Sequence, residues 1–197
     1  MNYIIALGNP GDEYTNNRHN TGRIILEMLS KKLEMDKFKE DKKIRALVSK
    51  GVIDGKKISV VFPNNFMNNS GASVKPLVGS AKDLDKIVVV YDDIDLPLGT
   101  VRLSYNRGSG GHNGLISIIK ALKSEAFLRI RVGVSPSTAG GKIRKPESGD
   151  GVLKFLLGDF RPKEMEEMKG ISKTVLLALI LFVTEGREKA MVEINSL

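Results

Sequence analysis

Two histidines, His19 and His112, and an acidic run that begins at Asp92 are the side chains of this 197-residue sequence best suited to move protons. An unperturbed histidine titrates near pH 6.5, so its neutral ring can take a proton from water, and a carboxylate on its other nitrogen would fix the tautomer. The chain contains no cysteine and no Gly-x-Ser-x-Gly sequence, so no thiolate or serine nucleophile is indicated. These residues therefore indicate hydrolysis by a water that histidine activates. His19 is the better candidate, because it lies in a polar loop that follows a strand-like run.

Loops rich in Asn, Asp, His and Gly follow several of the apolar runs. They lie at 8–20, 63–70 and 92–95, and a fourth such loop, at 108–114, precedes a helix-like stretch. Any one of them is compatible with ordinary turn chemistry. In an open α/β sheet, however, ligands bind beyond the carboxyl ends of the strands. The occurrence of all these loops together therefore predicts an active site at that edge of the sheet.

Metal and cofactor sites are not indicated. Asp92, Asp93 and Asp95 could recruit Mg²⁺, but carboxylates at strand ends also cap helices or bind loops. The absence of cysteine excludes thiolate zinc and iron–sulfur sites, and two histidines are few for a histidine-rich one. The sequence has neither a Walker loop nor a Gly-x-Gly-x-x-Gly fingerprint. We therefore expect no metal and no cofactor.

Short apolar runs alternate with stretches of helical period, which is typical of an α/β fold. The runs at 4–7 and 87–90 are apolar at every position, as in parallel strands covered on both faces. We predict a single domain, 1–197, with a mixed, largely parallel twisted sheet flanked by helices, a mobile loop at 135–151 and a long C-terminal helix docked through 175–183. The predicted strands are 3–7, 46–53, 57–62, 87–91, 101–105 and 129–134, and the predicted helices start near Asn20, Ser70, Asn113 and Pro162.

The net charge of +8 is concentrated in one segment. Residues 101–145 hold nine basic residues and a single acidic one, Glu125. Such a segment suggests a polyanionic partner, such as nucleic acid or anionic lipid, although a solvated basic face explains it equally well. The longest apolar run, 175–183, is far shorter than the roughly 20 residues that span a bilayer, and the N-terminus lacks the basic stretch of a signal peptide. We therefore expect a soluble, cytoplasmic protein without a membrane partner.

Four segments together resemble the bacterial-type peptidyl-tRNA hydrolases. They read GNPGDEYTNNRHNTG (8–22), FPNNFMNNSG (62–71), YDDIDLPLG (91–99) and GSGGHNGL (108–115), in the order and at the spacing of that family. The resemblance implies a monomeric, metal-independent α/β enzyme. Its substrate would be peptidyl-tRNA, and it would cleave the ester between the peptide and the 3′ ribose of the tRNA.

The resemblance also implies roles for individual residues. His19 would be the general base, Asp92 the carboxylate that orients it, and Asn113 a side chain that holds the attacking water or the developing oxyanion. Ser104 stands where relatives often have a basic residue, so other basic residues would complete the phosphate clamp. The implied substrate contacts are Asn9 and Asn68, with Tyr14 and Met67 lining the cleft and His112 in a structural or gating role, and the implied tRNA contacts are Arg131, Lys142, Arg102 and Arg107.

Two other functions remain compatible with the residues. One is a catalytically inactive RNA-binding protein on the same scaffold, since fold alone does not determine activity. The intact His19–Asp92 pair and the three asparagines argue for the enzyme. The other is a metabolic enzyme that binds a nucleotide or phosphate through the glycine-rich loop, and its ligand binding would depend only weakly on salt, unlike tRNA binding.

Overall fold

The two fully apolar runs form the centre of the sheet. They belong to β1 (Asn2–Ala6) and β5 (Ile87–Pro97), which pair in parallel with Tyr3 opposite Ile87. Residues 4–7 and 87–90 are all inaccessible to solvent. Ile4 and Ala6 pack into one core and Ile5 and Leu7 into another, on opposite faces of the sheet. The predicted burial of these strands on both faces is confirmed.

Seven strands form one mixed sheet in the order β2-β3-β4-β1-β5-β7-β6. The four central strands, β4, β1, β5 and β7, are parallel to one another. The pairs β2–β3, β3–β4 and β7–β6 are antiparallel. All six predicted strands are present. The short edge strand β2 was not predicted, because three charged residues carry no apolar pattern. The remaining strands are β2 (Lys39–Asp41), β3 (Ala46–Ile53), β4 (Lys56–Pro63), β6 (Val101–Tyr105) and β7 (Leu128–Ser135).

Helices cover both faces of the sheet, so the fold has three layers. One face carries α1, α5 and α6, and the other carries α2 and α3. The long helix predicted from Pro162 is present and ends at Glu185, and Gly186 follows it with a φ of 95°, which favours glycine. A second C-terminal helix follows it, which the sequence did not predict. The helices are α1 (Thr21–Lys32), α2 (Gly71–Val74), α3 (Asn113–Leu122), α4 (Asp150–Leu156), α5 (Pro162–Glu185) and α6 (Arg187–Asn195).

This computed structural model describes residues 1–138, 140, 142–146 and 149–197. The predicted mobile loop, 135–151, includes Ala139, Gly141, Glu147 and Ser148, so that prediction lies partly outside the described residues, and its bounds are too wide because Ser135 belongs to β7 and residues 150–151 begin α4. Within the described part, Ser137 and Ile143 form an antiparallel bridge. None of the helices in these ranges combines the length and the apolar character that crossing a membrane requires.

Candidate active site

His19 and Asp92, which lie 73 positions apart in the sequence, are hydrogen-bonded in the fold. Asp92 lies within β5, and His19 lies in the 3-10 helix Arg18–Asn20 that leads directly into α1. Nδ1 of His19 is 2.9 Å from Oδ2 and 3.1 Å from Oδ1 of Asp92. A Cβ at Gly22 would lie 2.4 Å from the carbonyl oxygen of Val90, so only glycine allows α1 to approach β5 this closely. This close packing brings the imidazole of His19 onto the carboxylate.

His112 reaches the same carboxylate from the other side. It is the N-cap residue of α3, and its Nδ1 accepts backbone N–H groups from Gly114 at 3.1 Å and Leu115 at 3.4 Å. A ring nitrogen that accepts carries no proton, so this hydrogen-bond pattern assigns the proton of His112 to Nε2. Nε2 then donates to Oδ1 of Asp92 at 3.2 Å. We call His19, Asp92 and His112 the histidine–aspartate cluster.

The charge of Asp92 is stabilised by both imidazoles. Burial disfavours the carboxylate, but His19 and His112 outweigh that effect and hold the pKa of Asp92 far below its usual value. Burial likewise disfavours the imidazolium of His19, and the charge and hydrogen bond of Asp92 outweigh it, so the pKa of His19 is raised above 6.5. An ionised Asp92 accepts the Nδ1–H of His19. The lone pair of His19 then lies on Nε2, which has no hydrogen-bond partner among the described residues.

Asn9 is held in one orientation beside the cluster. It follows β1, its side chain is buried, and its Oδ1 accepts the backbone N–H of Met67 at 2.8 Å. Its own backbone N–H donates to Oδ1 of Asn20 at 2.8 Å, and Nδ2 of Asn20 donates back to the carbonyl of Asn9 at 3.0 Å. Because the side-chain oxygen of Asn9 is occupied, its Nδ2 remains as a fixed donor. Asn9 and Met67 are thus joined in the fold, although they are 58 positions apart in the sequence.

Three other predicted site residues, the substrate contacts Asn68 and Tyr14 and the catalytic candidate Asn113, lie closer to solvent. Asn68 and Asn113 are exposed, and Tyr14 is half-buried in the 3-10 helix Asp12–Tyr14. Asn68 adjoins the buried Met67 after β4, and Asn113 is the first residue of α3, next to His112. Within the described part of the chain, neither asparagine side chain makes a hydrogen bond. Both amides are therefore free to bind a ligand.

A cleft of about 320 Å³ adjoins the histidine–aspartate cluster. Its wall contains Asp92 and His112 and also Asp93, Arg107 and Arg131, and we call it the arginine cleft. Nε of Arg131 donates to Oδ2 of Asp93 at 2.8 Å. Burial opposes the charge of Arg131, but Asp93 outweighs it and raises the pKa. Asp92 and His112 therefore share one cavity with the guanidinium groups of Arg107 and Arg131, whereas His19 lies behind Asp92 and does not line it.

The other two predicted tRNA contacts do not line this cleft. Arg102 is half-buried and lies directly opposite Arg131 in the β6–β7 pairing. Lys142 is exposed, and its backbone pairs with Thr138 near the bridge between Ser137 and Ile143. The structure thus places Arg102 beside the cleft and Lys142 on a neighbouring surface segment.

The histidine–aspartate cluster is also the group of side chains whose spacing resembles a metal site, since its ligand atoms lie within 4.8 Å of one another. The hydrogen bonds argue against that use. Nδ1 of His19 and Nε2 of His112 both donate protons to Asp92, so neither presents a lone pair to an ion. This donor set is suited to holding a carboxylate and an imidazole in place.

Sequence reasoning missed two buried arginines. Arg18 bonds to the carbonyl of Gly158 at 3.1 Å and to Oε2 of Glu164 at 2.7 Å, which ties the helix that carries His19 to the start of α5. Arg129 is fully buried within β7, and its guanidinium lies 4.4 Å from the Phe127 ring centre. Burial lowers the pKa of Arg129. A basic residue inside an apolar run, or directly beside the candidate base, was the signal available in the sequence.

Comparison with known proteins gives one family over almost the whole chain. The family model described as peptidyl-tRNA hydrolase matches residues 3–197. The peptidyl-tRNA hydrolase of Prochlorococcus marinus (strain MIT 9301) is 39% identical over 195 residues, covering 98% of this chain and 96% of its own. That of Carboxydothermus hydrogenoformans is 39% identical over 196 residues, covering 99% and 98%.

A solved structure gives the same result. The crystal structure of peptidyl-tRNA hydrolase from Acinetobacter baumannii superposes with a TM-score of 0.86 at 32% identity, covering 100% of this chain and 95% of that one. The chain is therefore similar to peptidyl-tRNA hydrolases over its full length, in both sequence and fold. This similarity agrees with the four sequence motifs. The chain belongs to the peptidyl-tRNA hydrolase family.

Proposed function

We propose that this protein hydrolyses the ester that joins a peptide to the 3′ ribose of tRNA. The observation that carries this proposal is the imidazole of His19, which is held by Asp92 through Nδ1 and has an unpartnered Nε2. That arrangement provides a base for water and does not provide a nucleophile. An ester, which is easier to hydrolyse than an amide, suits a site of this kind.

The reaction follows from the positions of the protons. Nε2 of His19 takes a proton from water as the water oxygen bonds to the ester carbonyl carbon, and Asp92 stabilises the imidazolium that forms. The tetrahedral oxyanion then collapses, the bond to the ribose 3′ oxygen breaks, and that oxygen receives the proton from Nε2. The products are the free peptide acid and tRNA with a free 3′ hydroxyl. Proton transfer of this kind is typically worth about 10²–10⁴ in rate.

Side-chain amides beside the base are suited to the developing oxyanion. Asn9 offers a donor in a fixed orientation, and Asn68 and Asn113 offer exposed ones. One preorganised donor of this kind contributes about 10²–10³ in rate. We assign Asn113 to the water or the oxyanion, and Asn9 and Asn68 to the peptide and the terminal nucleotide. Tyr14, Met67 and His112 complete the assigned substrate surface.

The arginine cleft supports a polyanionic substrate. Arg107 and Arg131 line it, Arg102 lies beside it, and Lys142 lies on the same basic segment, 101–145. Phosphate contacts of this kind position a nucleic acid without reading its sequence. We therefore assign these residues to the phosphates of the tRNA acceptor stem. The assigned groups all belong to one chain and need no metal, which supports a monomer that acts without a metal ion. The proposed substrate supports action in the cytoplasm, where tRNA is charged and used.

The test is release of peptide from N-acetyl-aminoacyl-tRNA in the presence of EDTA, comparing the wild type with His19→Ala. We expect turnover by the wild type and a loss of at least about 10² in kcat for the variant, with unchanged tRNA affinity. The inactive RNA-binding alternative predicts salt-sensitive tRNA binding without turnover by either protein. Binding of a mononucleotide with weak salt dependence, and no tRNA binding, would favour the metabolic-enzyme alternative.

A further inference from the structure

His112 connects the N-terminus of α3 to the carboxylate that holds the general base. Its side chain is 8% exposed, its Nδ1 is occupied by two backbone N–H groups, and its Nε2–H is directed at Oδ1 of Asp92. The ring of Tyr91 packs edge-on against it, with ring centres 5.0 Å apart. The imidazole is thus fixed at both nitrogens and along one edge, which is more than capping a helix requires.

Asp92 therefore divides its hydrogen-bonding capacity between two imidazoles. Oδ1 lies 3.2 Å from Nε2 of His112 and 3.1 Å from Nδ1 of His19, and Oδ2 lies 2.9 Å from Nδ1 of His19. A donor on Oδ1 fixes the plane of the carboxylate and withdraws part of its charge from His19. A change at His112 should therefore be felt at His19, although no hydrogen bond joins the two residues.

We propose that His112 is a positioning residue for the general base: its Nε2–H fixes Asp92 and limits the charge that Asp92 presents to His19, and so sets the pH above which His19 is a free base. This inference rests on the proposed function, in which His19 is that base. It goes beyond the structural or gating role that the sequence resemblance implied, because it assigns His112 an effect on proton transfer.

The other titratable and charged groups around the cluster lie outside α3. They come from three elements, and among them Tyr91 contacts the His112 ring directly. These groups are Tyr91, Asp93 and Asp95 on β5, Arg129 and Arg131 on β7, and Arg107 in the loop that follows β6. Asp93 is paired with Arg131, so the charge nearest to Asp92 along the chain is largely compensated.

Two substitutions separate the two functions of the His112 ring. In His112→Asn the short side chain can still accept the backbone N–H groups of α3, since asparagine is a preferred N-cap, but it is too short to reach Asp92. In His112→Gln the longer side chain places an amide N–H about as far from the backbone as Nε2 of histidine, so it can still reach Oδ1 of Asp92. Glutamine is, however, a poor N-cap. The first variant retains the cap and loses the carboxylate contact, and the second does the reverse.

The experiment measures the pKa of His19 by ¹H–¹⁵N NMR of its ring nitrogens, together with the melting temperature. Because the chain has two histidines, His19 is the only one left in either variant. We expect His112→Asn to raise the pKa of His19 by about half a unit to one unit, the size of one hydrogen bond, and to leave the melting temperature nearly unchanged. We expect His112→Gln to leave the pKa near the wild-type value and to lower the melting temperature. The acid limb of kcat should move with the NMR pKa.

An unchanged or lowered pKa of His19 in His112→Asn would overturn the proposal. A pKa of His19 that changed only in the variant with the lowered melting temperature would overturn it as well. A wild-type protein that binds tRNA but releases no peptide would instead contradict the proposed function. The NMR titration would still decide whether His112 sets the pKa of His19, because it requires no turnover.

Discussion

The histidine–aspartate cluster and the arginine cleft adjoin one another, yet they are built differently. In the cluster, the side chains are at most 8% exposed and one carboxylate receives two imidazole N–H groups. Around the cleft, Arg107 is exposed, Arg102 is half-buried, and Arg131 is paired with Asp93. Geometry within tenths of an ångström decides whether a proton moves, whereas attraction to phosphate is summed over several charges near water. The first region should therefore respond to single atoms and the second to total charge and to salt.

The largest effect is expected from Asp92→Asn, which breaks the cluster without changing its shape. Nε2–H of His112 requires an acceptor, so it selects the amide oxygen and turns the amide nitrogen towards His19. Nδ1 of His19 must then accept, its proton moves to Nε2, and the base is lost. We expect kcat to fall by about 10²–10⁴, measured as single-turnover release of peptide.

The control is Asp85→Asn, which neutralises an exposed carboxylate that precedes the amino end of β5 and pairs with Arg187. Its kcat should be close to that of the wild type. A similar loss of activity in both variants would show that negative charge on or near β5 matters in general, and would remove the distinction between the two regions.

A smaller effect, in a different parameter, is expected from Arg131→Ala. Removing one phosphate contact should raise KM for full-length tRNA substrates about tenfold and leave kcat nearly unchanged. The slope of log KM against log salt should fall by about one, because one fewer counterion is released. Arg131→Lys should recover part of the affinity, since the charge remains and the forked geometry is lost.

Lys31→Ala is the matched control, because Lys31 is an exposed cation on α1 paired with Glu27. It should change neither KM nor the salt slope. If kcat fell with Arg131→Ala as much as KM rose, the arginine cleft would be part of the proton-transfer machinery, and the comparison would fail.

The smallest effect is expected from Glu164→Gln, which weakens the support beneath His19. Arg18 and Glu164 are 2.7 Å apart and are 10% and 18% exposed, so this ion pair is only partly screened. The side-chain oxygen of glutamine can still accept hydrogen bonds from the backbone N–H of Arg161 and from Arg18, but it carries no negative charge. We expect a loss of about 1 kcal/mol in unfolding free energy, or roughly 2–4 °C in melting temperature, with kcat reduced less than about threefold.

Glu166→Gln provides the comparison, since Glu166 is 72% exposed and pairs with Lys169 on the surface of the same helix. A pair of this kind contributes little, so the melting temperature should not change. Equal destabilisation by the two substitutions would show that Arg18 does not anchor the helix that carries His19.

Most of the fold could be predicted from local patterns. The fully apolar runs at 4–7 and 87–90 required parallel strands covered on both faces, and the helices that start at Asn113 and Pro162 carried their own periodicity. The elements that were missed lack such patterns. β2 is charged at all three positions, and α4 follows a stretch rich in glycine and proline. β5 continues through Asp92 to Pro97, because pairing with β7 stabilises polar residues that do not form a strand by propensity.

The sequence by itself determined which residues could do chemistry and at which edge of the sheet they meet, because residue types, turn signals and strand periodicity are local properties. It could not determine their partners. Tertiary structure decided that Nδ1 of His19 faces Asp92, that His112 shares the carboxylate from 20 positions away, and that Asp93 holds Arg131. These contacts depend on strand order and on the close packing of α1 and α3 against β5. Hydrogen bonds form between atoms within about 3 Å of each other, and only the folded chain sets those distances.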